Sequence, residues 1–217
     1  MGLNRMKPAI PKELTPGELQ AEALRAAASG DEVSGMLFEG GELNGLTERR
    51  LEFTGCSFVR CRFESISVRW LSFSDCAFYG CDFSNASLRG AAFRRVELSD
   101  CRAVGAEIAE AWIAHAHISG CRFGYAGFGK AKLEAVHFED CDLKEASFSG
   151  CTLKGVSFDR CILTATEFLA APLKGIDLRS CAIDGIKLSG GELRGAVVTP
   201  SQAVELSKLL GLIVRDG

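Results

Sequence analysis

Long apolar runs are missing from this chain of 217 residues. Nothing approaches eighteen consecutive apolar positions, so no transmembrane helix is expected. The opening residues, Met1 to Met6, form no apolar signal region, and Met6 stands where a myristoylation signal wants serine or threonine. Histidine is scarce, with only His115, His117 and His137, and no catalytic motif is recognisable. The two signs of charge nearly balance at a formal net −3, so any electrostatic signal has to be local. These absences predict a soluble cytoplasmic protein that is not an enzyme. No cofactor, metal, membrane or small-molecule substrate is expected, nor direct binding of nucleic acid.

What is present is a five-residue period. All fourteen phenylalanines and all ten cysteines fall into two of its five phases. Repeat centres run from Phe38 and Leu43 through Phe53, Phe58 and Phe63 to Leu193 and Val198, thirty-three positions without insertion or deletion. Only Glu48 and Ala103 are not large and apolar. Two residues before each centre sits a small or apolar residue, such as Cys56, Cys61, Ile66, Leu71 and Cys76. The other three phases are mostly polar, charged or glycine. Five matches neither the helical period nor the strand period, so it marks a repeat architecture.

Within each pentapeptide the positions i−2 and i point inward, as alternate residues of an extended segment do. A turn must follow before the next pair. Four such sides close a square coil of twenty residues, and coils stack through parallel bridges. About eight coils at ~4.8 Å each give a rod roughly 40 Å long. No coil buries its apolar residues alone, so neighbours stabilise one another. We number the walls by their centres: the first holds Phe58, Phe78 and Phe138, the second Phe63 and Phe83, the third Phe128 and Phe148, and the fourth Phe53 and Phe73.

Cys61, Cys81, Cys101, Cys121, Cys141, Cys161 and Cys181 lie twenty residues apart and form a ladder inside the second wall. Parallel rungs ~4.8 Å apart are too far for the ~3.5–4.5 Å between Cβ atoms of a disulfide. A line of thiols also lacks tetrahedral convergence. They read as reduced thiols serving as small hydrophobes, which suits a reducing cytoplasm.

The pattern, as in Cys81-Asp82-Phe83-Ser84-Asn85 and Ala86-Ser87-Leu88-Arg89-Gly90, resembles the pentapeptide repeat family from about residue 36 to 198. The resemblance implies a right-handed quadrilateral parallel β-helix. Residues 1–35 are expected as an arm and capping helix, 36–198 as the β-helix, and 199–217 as a helix and strand. Exposed strand edges at both ends need such covers. At the first end, Thr15 as N-cap, Pro16 at N1 and Glu18 closing a capping box predict a helix to about Ser29, stopped by Gly30. Leu14 and Leu19 suit a hydrophobic staple, and residues 1–14, with Pro8 and Pro11, read as an extended arm. At the other end, Thr199-Pro200-Ser201-Gln202 predicts a helix to Leu210, a stop at Gly211 and a strand at Leu212-Ile213-Val214. Leu206, Leu209, Leu210, Leu212 and Val214 are candidate residues of a homodimer interface.

That tail, Val198 to Ala203 followed by Leu209 to Val214, is similar to the dimerisation segment of the quinolone-resistance (Qnr) branch. The likeness is to its loop-free members from Gram-positive chromosomes. It implies a dimeric rod that imitates B-form DNA, binds DNA gyrase or topoisomerase IV, and protects the enzyme from quinolones. Branch members from Gram-negative bacteria carry two projecting loops that assist protection. This repeat has no interruption, which weakens the expectation of drug protection more than that of gyrase binding.

Duplex DNA carries one charge per ~1.7 Å, so a mimic should present ordered acids. The first and second walls carry thirteen acids against seven bases, and the third and fourth eight acids against twelve bases. Candidate partner-binding acids are Glu97, Asp100, Glu139, Asp140, Asp159 and Asp177. Trp70, Tyr79, Trp112 and Tyr125 fall in outward phases, with Trp70 and Trp112 as candidate contacts. His117 and His137 should stack one coil apart, with Glu97 one coil below and Asp177 further along. A site of two histidines and one carboxylate is conceivable there. The flat ladder offers no enclosed pocket, so no metal is assigned. A scaffold binding an unrelated protein is the alternative function.

Overall fold

The computed structural model describes residues 5–45, 50–64, 66–68 and 70–215. Glu48, Arg49 and Arg69 lie outside the described residues, as does the side chain of Leu210. The repeat builds a four-sided parallel β-solenoid in which each residue pairs with the one twenty positions on. The register runs from Glu42↔Arg62 through Phe58↔Phe78 and His117↔His137 to Asp177↔Val197 without a slip.

Corners fall every five residues, and most of them adopt positive φ. Glycine holds many of them, but non-glycine residues hold others, among them Asn85 at +55°, Asp100 at +55° and His115 at +57°. Two wall junctions close with hydrogen-bonded turns. Ala86 N donates to Phe83 O, and Ala91 N to Leu88 O, both at 3.0 Å. A positive φ at the third residue of such a turn is the type II arrangement. The fourth and first walls instead form one continuous surface of strand. Ala92–Ser99, Trp112–Ser119 and Lys132–Glu139 each run eight residues through the corner at Arg95, His115 or Ala135.

Inside, the phenylalanines stack in columns one coil apart. Phe63 and Phe83 lie 4.6 Å apart with planes 7° from parallel, and Phe128 and Phe148 4.6 Å apart at 4°. Neighbouring columns meet edge to face, as Phe73 and Phe78 do at 5.0 Å and 86°. Ala103 interrupts the second wall's column between Phe83 and Phe123, leaving a cavity of about 30 Å³ bounded also by Leu98, Ile108 and Ile118.

All ten cysteines are free and buried, and their thiols have a task beyond packing. Among the described residues, no turn bond closes the first-to-second corner from Cys61 to Cys161. The thiol one coil above fills the gap: Cys121 Sγ lies 3.7 Å from Leu98 O and accepts from Cys101 N at 3.3 Å. The thiol-to-carbonyl contact repeats from Cys81 to Phe58 and from Cys141 to Ile118. Thr166 Oγ1 also donates to a carbonyl one coil below, Leu143 O at 2.8 Å, although the turn bond from Ala146 N already reaches that oxygen. Burial pushes the Cys151 thiol up to about 11, so it stays protonated as a donor at neutral pH.

Both ends are covered, though not wholly as the sequence suggests. Helix α1 spans Leu19–Ser29, and its N-cap is Glu18, whose carboxylate accepts from Gln20 N and Ala21 N. The expected Thr15 cap is overturned because Thr15–Pro16 is recruited as a strand along Met36–Leu37. Leu19, Ala23 and Ala26, one face of α1, are buried over the first coil, and Gly30 ends the helix at φ +80°. Helix α2 spans Pro200–Ser207 and carries the expected capping box between Thr199 and Gln202. Gln202 Nε2 also donates to Leu178 O and Cys181 O, which ties the helix start to the last corner of the solenoid. A 3-10 turn, Lys208–Leu210, then leads to Gly211 at φ +77°. Within the single chain, residues 212–215 carry no regular secondary structure. No helix among the described residues is long and apolar enough to cross a membrane.

Candidate functional site

The first wall is where chemistry gathers. Its outward positions stack as two ladders, Glu97–His117–His137–Ser157 and Ser99–Ser119–Glu139–Asp159. Arg160, at the corner above, reaches three carboxylates at once: Glu139 at 2.6 Å, Asp140 at 2.8 Å and Asp159 at 2.5 Å. Its guanidinium holds Glu139 and Asp140 below the usual carboxylate range. Further along, Arg179 lowers Asp177 to about 2 through a 2.7 Å ion pair.

Five of the six candidate acids are therefore paired with arginine, since Glu97 also meets Arg5 at 3.5 Å. Asp100 alone makes no salt bridge among the described residues. Its carboxylate rests over Gly120, where an added Cβ would come within 2.5 Å of Asp100 Oδ1. Three of the six acids are gathered by one arginine, a grouping that spacing along the chain does not reveal. Arg160 was visible only as one basic residue in the sum.

The extended arm has a defined course that the sequence did not reveal. Pro11 lies against the corner at Gly55, Ala9 N donates to Asp75 Oδ1 at 2.9 Å, and Met6 N donates to His115 Nδ1 at 3.3 Å. The arm thus climbs the corner between the fourth and first walls, ending with Arg5 beside Glu97. Asp75 is buried and doubly bound by Arg95, whose guanidinium holds it below its ordinary value. Beyond Arg5 the same corner continues as a groove of about 560 Å³ lined by Ala135, Gly155, Gly175, His137 and Asp177.

The aromatic candidates stand outward as expected, with Trp70 55% and Trp112 42% exposed. They flank a small-residue floor on the fourth wall. Gly90 and Ala92 join Trp70, Arg50 and Glu52 around a shallow cleft of about 560 Å³, and Trp112 pairs in register with Ala92. At the far end, Leu206 is buried in the cap, while Leu209, Leu212 and Val214 are exposed and Ile213 is 82% exposed.

The sequence expectation that His117 would align with Glu97 holds in register, but the carboxylate that meets the imidazoles is Glu139. In an extended segment the residue two positions after His137 returns to the same side.

A family model described as a pentapeptide repeat region matches residues 51–128, 71–148 and 131–207. Among solved structures the chain is similar to HetL, a pentapeptide repeat protein involved in heterocyst differentiation regulation in the cyanobacterium Nostoc sp. strain PCC 7120. Identity is 17% over 82% of this chain and 96% of that one, with a TM-score of 0.42. It is also similar to a trypsin-treated form of QnrB1, a plasmid-mediated fluoroquinolone resistance protein. There identity is 26% over 86% and 91% of the chains, with a TM-score of 0.41. A comparison with curated proteins found no match.

Proposed function

Taking as premise that the chain belongs to the pentapeptide repeat family, we propose that it is a non-enzymatic, dimeric rod that binds a type II topoisomerase. Its acidic first and second walls dock on the basic DNA-binding surface of DNA gyrase or topoisomerase IV and shield the enzyme from quinolone-type inhibitors. The observation that carries this reading is the polarity of the rod, with thirteen acids against seven bases on two adjacent walls.

Magnitudes limit what that charge does. Over roughly 40 Å of rod, duplex DNA would present about 24 charges at one per ~1.7 Å. The acidic walls fall well short, and the Arg160 pairs reduce the field further. The acids serve orientation and on-rate, while shape and local contacts supply the hold. Leu209, Leu212, Ile213 and Val214 give the second copy an apolar seat at the end of the rod.

Titrating gyrase supercoiling with the purified chain, with and without a fluoroquinolone, tests the reading. Inhibition, or rescue from the drug, is the expected result, and both should weaken with salt and with lysine at Asp100, Glu139 and Asp140. No effect at tens of micromolar would overturn it. Truncation after Gly211, which spares the α2 cap, should give monomer on sizing. A second reading rests on the cleft lined by Trp70, with Trp112 one coil beyond its Ala92: a scaffold that grips an apolar side chain of an unrelated protein. Alanine at either tryptophan would then abolish binding while charge reversal would not.

A further inference from the structure

His117, His137 and Glu139 occupy two consecutive coils of the first wall, and their ligand atoms all lie within 4.8 Å of one another. Register sets His137 over His117 with the rings stacked at 5.3 Å and 18°. Glu139 Oε2 sits 3.0 Å from His117 Nε2 and 4.0 Å from His137 Nε2. A tetrahedral zinc ion with bonds of ~2.0–2.2 Å separates its ligand atoms by about 3.4 Å. The two observed distances bracket that value, and the third edge, between the imidazole nitrogens, is no longer than 4.8 Å.

The surroundings orient these groups. His137 Nδ1 bonds Ser157 Oγ at 2.6 Å, which leaves Nε2 facing the carboxylate. Glu139 Oε1 accepts from Arg160 at 2.6 Å, which turns Oε2 toward both imidazoles. Partners of this kind fix the rotamer and tautomer of metal ligands. Glu97 below His117 and Asp159 beside Glu139 in register add negative charge, while Arg5 and Arg160 oppose it. The ten thiols are buried behind the wall and do not reach this surface.

We propose that His117, His137 and Glu139 bind a borderline divalent transition-metal ion, with zinc(II) as the reference ion and water in the fourth position. Two imidazole nitrogens and one carboxylate oxygen suit zinc, cobalt, nickel or copper(II) rather than the all-oxygen shells of magnesium and calcium. The ion joins two adjacent coils, so binding stabilises the folded rod by linkage.

The test is calorimetric titration of the full chain with zinc(II), paired with cobalt(II) absorption and thermal melts. One equivalent of zinc per chain is expected, with a raised melting temperature and a cobalt spectrum free of thiolate charge transfer. His117→Gln and His137→Gln should each weaken binding at least ~10-fold, and Ser157→Ala by about the same factor through tautomer control. These outward-facing substitutions leave the buried columns intact, which circular dichroism checks. Absence of binding at millimolar zinc would overturn the assignment. So would binding unchanged in the double histidine variant, or a thiolate band in the cobalt spectrum.

Discussion

On the fourth and first walls the chain runs as strands of up to eight residues that pass through a corner, whereas the second and third walls are joined by single bridges and hydrogen-bonded turns. The same pentapeptide therefore satisfies its backbone in two ways. Where a turn bond closes the corner, the i−2 position needs only to be small, and alanine holds it at Ala86, Ala91, Ala106, Ala111, Ala126 and Ala131. Where the turn bond is missing, at the junction of the first and second walls, a thiol from the next coil reaches the free carbonyl. The choice between alanine and cysteine at one phase thus reports which corner lacks its own bond. Cys151 and Thr166 depart from this rule, since the turn bonds from Ala131 to Phe128 O and from Ala146 to Leu143 O are present beneath them.

The largest test asks whether the two halves share one core. Phe128→Ala on the turn-built side and Phe138→Ala on the strand-built side should each cost ~3–5 kcal/mol in urea denaturation. A cost below ~1 kcal/mol for either would break the idea of a common ring column. A sharper comparison sets Cys121→Ala against Cys151→Ala. The first orphans Leu98 O and Cys101 N–H and should cost ~1–3 kcal/mol, while the second leaves a closed turn and should cost less. Equal losses would show that the thiols only fill space.

Asp75→Ala removes the acceptor for Ala9 N and should free the arm at the strand-built corner, costing about 1 kcal/mol and opening the Lys12–Glu13 bond to trypsin. Arg95 depresses the Asp75 pKa below its ordinary value, so the clasp is at full strength above the ordinary carboxylate range. It is lost as pH falls through the depressed value, and exchange of the Ala9 amide should report that loss. Protection that fades nearer neutrality would point to another anchor. Smallest of all, Ala103→Val should gain about 0.7 kcal/mol by filling a cavity of about 30 Å³.

The repeat was legible because five-residue spacing is a local signal written thirty-three times over. The capping box at Thr199 and the stop signals at Gly30 and Gly211 were legible for the same reason, since each acts within a few residues. What escaped was non-local. Thr15 and Pro16 carry good helix-start chemistry, but the edge at Met36–Leu37 offers ladder bonds that outcompete it. Arg160 gathers acids from two neighbouring coils, and Glu139 displaces Glu97 beside His117, because side-chain reach rather than register decides those partners. The thiols' hydrogen bonds were hidden behind a correct reading of their burial.

The unslipped twenty-residue register also governs how this molecule tolerates insertion and deletion. Removing five residues would advance every later position by one side, rotating the histidines and their acids a quarter turn away from the arm. Removing twenty would shorten the rod by only ~4.8 Å and leave every face aligned. Length is therefore adjustable in whole coils, like the graduations of a ruler, while any smaller edit scrambles the surface even though the interior still closes.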